Sequence, residues 1–166
     1  ERGFTRIGFA GSPLFSAAFS ERYFGFRQSC YRAGLAVQEE DEWLDLLPGI
    51  DSEETENSIL RHLEQNKSLP EVFFCGNDLL AVTLAKVLRR AGVRVPEDIS
   101  LGVDFNQLGQ LAEPRLTTVD IGCSRQVEAA VEQLASFIET GTYKPARILM
   151  PTTLRWGDSV AYKKAH

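Results

Sequence analysis

The chain has 166 residues, of which 43% are hydrophobic and 25% charged, and its formal net charge is -5. This composition is typical of one globular domain, and its acidic balance argues against direct nucleic-acid binding, which depends on clustered Lys and Arg. Three widely spaced cysteines without a CxxC pair, together with two histidines, favour reduced thiols in the cytoplasm and exclude a His-rich metal cluster. No apolar run approaches the roughly 20 residues of a membrane-spanning helix, so we expect neither a membrane segment nor a metal or other cofactor.

Short apolar runs alternate with longer amphipathic stretches along the whole chain. This alternation predicts βα units and a three-layer α/β/α fold around a mostly parallel sheet. The predicted strands are, in chain order, 6–10, 43–47, 72–75, 99–105, 117–121 and 148–154. The predicted helices are 20–33, a stretch that begins at Asp51 or Ser52, then 79–90 and 127–139.

The clearest of these units runs from residue 72 to residue 90. Val72-Phe73-Phe74-Cys75 has the continuous apolar character of a central strand that is covered on both faces. Gly76-Asn77-Asp78 then forms the turn into a helix. Apolar residues recur on one face of that helix at Leu80, Leu84, Val87, Leu88 and Ala91. The final run, 148–154, contains Pro151, which favours a sheet edge or a crossing segment.

Three stretches, in this order, carry a family resemblance. They are Ser20 to Phe26 (SERYFGF), Val72 to Ala81 (VFFCGNDLLA), and Val95 to Ser100 (VPEDIS) followed by Pro114 to Val119 (PRLTTV). With this order and spacing the chain resembles the LacI/GalR family of bacterial transcription regulators. In that family a helix-turn-helix headpiece precedes two α/β subdomains like those of type I periplasmic sugar-binding proteins, and an effector binds in the cleft between them.

The resemblance begins partway into the family pattern. It implies that 1–120 and 145–160 form the C-terminal subdomain, and that 121–144 is an excursion belonging to an N-terminal subdomain that is absent, like the headpiece. Because the first residue is Glu1 rather than Met and a strand starts at once, we expect a piece of a longer protein. The apolar stripe of the 127–139 helix would then lack its partner, which predicts dimerisation or rearrangement of this piece.

Open parallel sheets bind ligands at the carboxyl ends of their strands. The resemblance implies that Arg22 and Asn77 contact the effector, and their donors and acceptors suit sugar hydroxyls. A surface salt bridge for Arg22 and a turn role for Asn77 are equally common alternatives. We also place Asp104 in the cleft, although 101–106 alters the family's Gly-aromatic-Asp order. A one-residue slip would turn Asp104 to the opposite side, and Asn106 is then the alternative.

Further candidate residues lie around these three. Asp78 is expected to be the N-cap of its helix, close to the ligand but not in contact with it. Several family members carry an aromatic ring near the positions of Ile50 and Asp51, where this chain has none. Phe15 or Phe19 could supply the ring instead, and Asp51 remains a less certain contact.

The resemblance also implies a face through which two subunits pair. It would consist of the helix 79–90 and the segment 107–111. Its expected apolar members are Leu80, Leu84, Leu108 and Leu111.

The implied function is the effector-sensing and dimerisation part of a transcription regulator that contacts operator DNA only through its headpiece. An enzyme finds no support, because the turn at 8–13 is neither GxGxxG nor a P-loop and no nucleophile has a neighbouring His. A periplasmic sugar receptor would share the fold and the cleft. What lies upstream of Glu1 discriminates the two, since a secretory leader indicates the receptor and a helix-turn-helix the regulator.

Overall fold

The computed structural model describes residues 3–48, 52–104, 109–143 and 145–162. The strands within these ranges are β1 (Ile7–Ala10), β2 (Glu42–Trp43), β3 (Val72–Cys75), β4 (Ser100–Asp104), β5 (Thr117–Asp120) and β6 (Thr153–Arg155). The α-helices are α1 (Ala17–Arg32), α2 (Ser52–Gln65), α3 (Asp78–Arg90) and α4 (Cys123–Thr140).

The strands form one sheet in the order β2-β1-β3-β4-β5-β6. The first five strands in this order are parallel, and β6 pairs antiparallel with β5 at the edge. The predicted mostly parallel α/β sheet is thereby confirmed. The run that contains Pro151 leads into this edge strand, where a missing backbone donor costs least.

Several helices and strands begin or end at residues other than the predicted ones. The first helix begins at Ala17 rather than at 20, because the Ser16 hydroxyl caps it by accepting a hydrogen bond from the Phe19 amide. The second strand ends at Trp43 rather than at 47, since the chain enters a turn at Leu44 and Asp45. The last helix starts at Cys123, four residues before the prediction.

Helices cover both faces of the sheet, and alternation along β3 separates the two layers of core. Phe73 faces α2 and α3 in a large cluster of buried side chains, whereas Phe74 faces α1 beside Phe9, Phe26 and Cys30. Successive strand residues point to opposite faces, so a continuous apolar run is what a strand inside three layers requires. The three-layer prediction is therefore correct.

The apolar stripe of α3 belongs to the core. Leu80 and Leu84 are 1% and 0% exposed and pack against the sheet. This corrects the expectation that they belong to a subunit interface, because a side chain already buried in its own chain has no surface to offer a partner. On the same helix Leu79 is exposed, and Leu111 in the segment after β4 is 85% exposed.

The helix α4 differs from the other helices in that none of its residues is buried. Its apolar stripe faces outward, with Val127, Val131 and Leu134 each more than half exposed. The chain continues from α4 through 145–152 back to β6, and Ile148 and Leu149 on that stretch are also exposed. In the described ranges, no helix combines the length and the apolar character that crossing a membrane requires.

Candidate functional site

The carboxyl edge of the sheet holds an ion pair between Arg22 and Asp104. Arg22 projects from α1, and its Nε donates to Asp104 Oδ2 at 2.6 Å. The Arg22 Nη1 donates to the carbonyl oxygen of Gly76 at 3.2 Å, at the end of β3. The structure thus brings together two of the three residues that the sequence singled out as ligand contacts.

This ion pair is largely shielded from solvent, with side-chain exposures of 18% for Arg22 and 15% for Asp104. Charge-assisted hydrogen bonds are stronger in such surroundings than at the open surface. The second carboxylate oxygen of Asp104, Oδ1, is buried and accepts no hydrogen bond from any residue that the structure describes. An unsatisfied buried acceptor costs about 1–3 kcal/mol, which makes Oδ1 a position where a donor from a ligand gains binding energy.

The ring of Phe19 packs against the Arg22 side of this ion pair. Its ring is 3% exposed and lies against Gly76, where an added Cβ would come within 2.3 Å of Phe19 Cε1. The guanidinium carbon of Arg22 lies 5.5 Å from the centre of the Phe19 ring, a cation–π arrangement. A glycine at 76 is therefore required for Phe19 to sit under Arg22.

Phe15 completes this group of side chains. Its ring is half-exposed and meets the Phe19 ring edge to face, with the two centroids 5.1 Å apart. Of the two rings that the sequence offered for the site, Phe19 is a core side chain and Phe15 is the accessible one. Both follow β1, whose carboxyl end lies at the same sheet edge.

The start of α3 differs from the prediction in which residue caps the helix. Asn77 is the N-cap of α3, with its side-chain Oδ1 accepting from the Leu80 amide at 2.9 Å. Asp78 is the first helical residue, is 2% exposed, and its carboxylate accepts from the Gly109 amide at 3.4 Å. The prediction that Asp78 is the cap is wrong, because Asn77 has the extended backbone and the side-chain hydrogen bond of the N-cap, so the helix already begins at Asp78. The turn role weighed for Asn77 is the one observed, and it leaves the Asn77 amide nitrogen without a hydrogen bond among the described residues.

Three predicted residues, Asp51, Asn106 and Leu108, lie outside the described residues. In the part of the chain that the structure describes, His, Cys, Asp and Glu form no cluster of three that could hold a metal. Burial raises the pKa of the Cys75 thiol to about 12, so it stays protonated at neutral pH.

An apolar trough of about 600 Å³ extends from Arg22 along the α1 face of the sheet. Gly102 on β4 opens into it, since an added Cβ there would meet no atom within 4 Å. Its lining includes Ile7, Phe26, Cys30, Leu35 and Phe74. A parallel sheet is normally covered on both faces, and the trough marks the part of the α1 face that lacks a cover.

Gly76 plays a part in the site that was not predicted from the sequence. Its carbonyl oxygen holds Arg22, and its missing side chain makes room for Phe19. The only signal in the sequence was a glycine between an apolar strand and a helix, a position that turn geometry alone explains.

Comparison with known proteins places the chain in a family. A family model described as a periplasmic binding protein-like domain matches residues 1–160. The HTH-type transcriptional repressor PurR of Vibrio cholerae is 34% identical over 120 residues, which cover 72% of this chain and 34% of PurR. The ribose operon repressor of Escherichia coli is 29% identical over 164 residues, which cover 96% of this chain and 48% of the repressor.

A solved structure supports the same fold. The transcriptional regulator CelR in complex with cellobiose superimposes with a TM-score of 0.81 at 24% identity, over 95% of this chain and 47% of that one. The chain spans less than half the length of each of these three proteins. It belongs to the periplasmic binding protein-like domain family, and the curated relatives that it resembles are named as transcriptional repressors.

Proposed function

We propose that this chain is the effector-sensing part of a LacI-family regulator of transcription and that Arg22 and Asp104 hold the effector. The observation that carries the proposal is the shielded ion pair at the carboxyl edge of the sheet, where open α/β sheets bind their ligands. Asn77 follows Gly76 directly, and its amide nitrogen is a further donor toward the same edge.

The effector is a sugar or a related polar small molecule. Guanidinium donors and carboxylate acceptors side by side match adjacent hydroxyl groups, which both donate and accept. Two of the similar proteins point the same way, since one is named as the ribose operon repressor and another was solved with cellobiose. The regulator names favour a binding role over a catalytic one.

The whole protein has further parts in this proposal. Residues 1–120 and 145–160 form the C-terminal subdomain, and 121–144 packs in an N-terminal subdomain outside this chain. The exposed stripe of α4 supports this division. Operator DNA is contacted through a headpiece, and the protein acts in the cytoplasm as a homodimer that pairs through the exposed side of α3 and the segment around Leu111.

In this mechanism, ligand binding shifts the population between two arrangements of the subdomains. The closed arrangement changes the relative angle of the paired subunits and thereby the spacing of their headpieces. Arg22 and Asp104 suit this part, because they join α1 to β4 at the edge that would face the second subdomain.

Thermal unfolding of the full-length gene product tests the proposal. Neutral sugars, sugar phosphates and nucleobases are each added to the wild type and to Arg22→Ala. Saturation at about 100 times the dissociation constant adds roughly 2.7 kcal/mol, which the variant should lose. Arg94→Ala is the control, because Arg94 forms an exposed ion pair with Asp98 before the start of β4, whereas Asp104 lies at the other end of that strand. An equal shift in Arg22→Ala would refute the assignment, and no shift of wild type with any ligand would refute a small-molecule effector of these classes.

A further inference from the structure

The imidazole ring of His62, on α2, contacts both the edge strand β2 and the segment 44–47 that follows it. The ring lies flat on the indole of Trp43, with the two ring centres 4.7 Å apart and the planes 7° from parallel. His62 Nε2 lies 2.6 Å from Asp45 Oδ1. The side chain of His62 is largely shielded from solvent, and that of Asp45 is half-exposed.

The segment 44–47 connects this contact to the carboxyl edge of the sheet. The carbonyl oxygen of Trp43 accepts a hydrogen bond from the Gly11 amide at 3.0 Å, and that of Leu46 accepts from the Ser12 amide at 2.9 Å. Gly11 and Ser12 begin the loop after β1. Asp45 lies between the two acceptors in sequence, so the position of Asp45 affects the hydrogen bonds that hold this loop.

The strand β2 depends on side chains of α2 because it is short. It has two residues and lies at the edge of the sheet. Trp43 Nε1 and Asn66 Nδ2 both donate to the carbonyl oxygen of Glu40, at 3.1 Å and 2.9 Å. These two hydrogen bonds join uncharged groups, whereas the contact of His62 with Asp45 changes with the charge of the ring.

Protonation strengthens both contacts of His62. Imidazole is the side-chain group that changes charge between pH 5 and 8. A neutral ring can donate a hydrogen bond to a carboxylate, and a protonated ring adds the attraction between opposite charges. A cation that lies over an indole ring also gains cation–π attraction. The ring therefore holds Asp45 and Trp43 more firmly at acidic pH.

The other charged side chains around β2 are engaged elsewhere or exposed. Those that flank β2, or lie within one helical turn of His62 on α2, are Glu40, Asp41, Glu42, Arg61 and Glu64. The first two pair with Arg6, and the third pairs with Arg27 on the opposite face of the sheet. The last two are exposed. Among the described residues, Asp45 is therefore the charged group that His62 contacts.

We propose that His62 is a pH-sensitive latch on the segment 44–47. The protonated ring holds Asp45 more firmly than the neutral ring does, and this restricts the motion of the loop after β1. That loop lies at the sheet edge where the effector is proposed to bind, so acidic pH increases the affinity for the effector. This last step rests on the function proposed above, whereas the latch itself does not.

Hydrogen exchange at residue level on the full-length protein tests the latch. Protection of the Ser12 amide, corrected for the intrinsic pH dependence of exchange, is compared at pH 5.5 and pH 8. We expect about threefold greater protection at pH 5.5 in wild type, the size of effect that a half-exposed ion pair gives. His62→Gln and Asp45→Asn should show equal protection at the two pH values. The Leu101 amide in β4, three strands from β2, reports changes in global stability.

A second histidine provides the matched control. The chain has two histidines, and His166→Gln should keep the pH dependence that His62→Gln removes. Protection of Ser12 that is independent of pH in wild type overturns the latch. A pH dependence that survives in His62→Gln, or that the Leu101 amide shares equally, also overturns it.

Sugar titration tests the step from the latch to the effector. D-Ribose, D-glucose and cellobiose are titrated into the full-length protein by calorimetry at both pH values. A sugar that binds should bind at least about twofold more tightly at pH 5.5, and His62→Gln should remove the difference. Equal affinity at the two pH values would show that the latch does not regulate the site. Failure of all three sugars to bind contradicts the proposed function together with its regulation, while hydrogen exchange still decides the latch.

Discussion

At the residue scale, two neighbours at the end of β3 determine the geometry of the site. Gly76 leaves space for Phe19, and the Asn77 side chain caps α3. Both residues fit a simple turn by composition, and turn chemistry is all that one sequence displays at such a junction. The role of Gly76 depends on Phe19, which is distant in sequence and reaches Gly76 only after α1 has packed on the sheet.

Gly76→Ala should destabilise the chain by about 1–3 kcal/mol, because the new Cβ would lie 2.3 Å from Phe19 Cε1 and overpacking costs this amount. Gly25→Ala is the matched control: Gly25 lies inside α1 with no atom within 4 Å of an added Cβ, so higher helix propensity should stabilise by up to about 1 kcal/mol. Urea unfolding of the two variants measures both effects. Equal changes in the two would contradict the packing of Phe19.

Two substitutions separate the capping role of Asn77 from its proposed role in ligand binding. Asn77→Ala should lower the free energy of unfolding by about 1 kcal/mol through loss of the cap, whereas Asn77→Asp keeps a capping oxygen and should restore stability. Because aspartate lacks the amide donor, Asn77→Asp should still bind the effector less tightly than wild type. If Asn77→Asp is normal in both urea unfolding and ligand titration, Asn77 acts only as a cap.

At the element scale, the stretch between α3 and β4 is held by a charged pair. Arg94 donates to Asp98 through both its backbone amide and its side chain. These hydrogen bonds lower the pKa of Asp98 to about 2 from an ordinary 3.8. A lowered carboxyl pKa contributes stability that is present above about pH 4 and is lost as the pH falls toward 2.

Carbon-13 NMR titration of the Asp98 carboxyl tests this pairing. Its midpoint should lie near pH 2 in wild type and return toward the ordinary value in Arg94→Ala, because the side-chain hydrogen bonds are the largest cause of the shift. Arg115→Ala is the control, since Arg115 pairs with Asp158 instead. An Asp98 midpoint that does not move in Arg94→Ala would mean that the pair is not formed in solution.

The apolar pattern of helix α3 predicts which residues are buried, but not which residues contact a partner subunit. Its period correctly predicted which face is apolar, and that face is the one packed on the sheet. The same residues, Leu80 and Leu84, were also assigned to a subunit interface, and one stripe cannot serve both. Residues that meet a partner are exposed in the single chain, so a one-sequence pattern of burial does not identify them.

At the scale of the whole molecule, the mostly parallel character of the sheet follows from the chain. Four βα units in sequence were sufficient to predict a mostly parallel sheet, because short connections and right-handed crossovers leave few alternatives. The sequence did not reveal which helices pack within this chain and which do not. The stripe of α4 has the same period as that of α3, yet only the latter is buried.

The exposed stripe of α4 predicts concentration-dependent self-association of the 166-residue chain, since large uncovered apolar surfaces associate. Analytical ultracentrifugation should show a rising mean mass that the double change Val131→Glu with Leu134→Glu abolishes. Leu14→Glu is the control, because Leu14 is 94% exposed but lies outside the stripe. A single monomeric species for wild type at every concentration would contradict the prediction, and association that persists in the double variant would assign it to another face.

The ion pair across the sheet edge has a kinetic consequence. Arg22 Nε and Asp104 Oδ2 are already paired, so a ligand that takes over this contact must wait for the pair to separate. Association should therefore be limited by this opening and fall well below the diffusional ceiling of about 10⁸–10⁹ M⁻¹s⁻¹ for a small molecule. In stopped-flow mixing, the observed rate would level off as ligand concentration rises, and the plateau would report how often the pair opens.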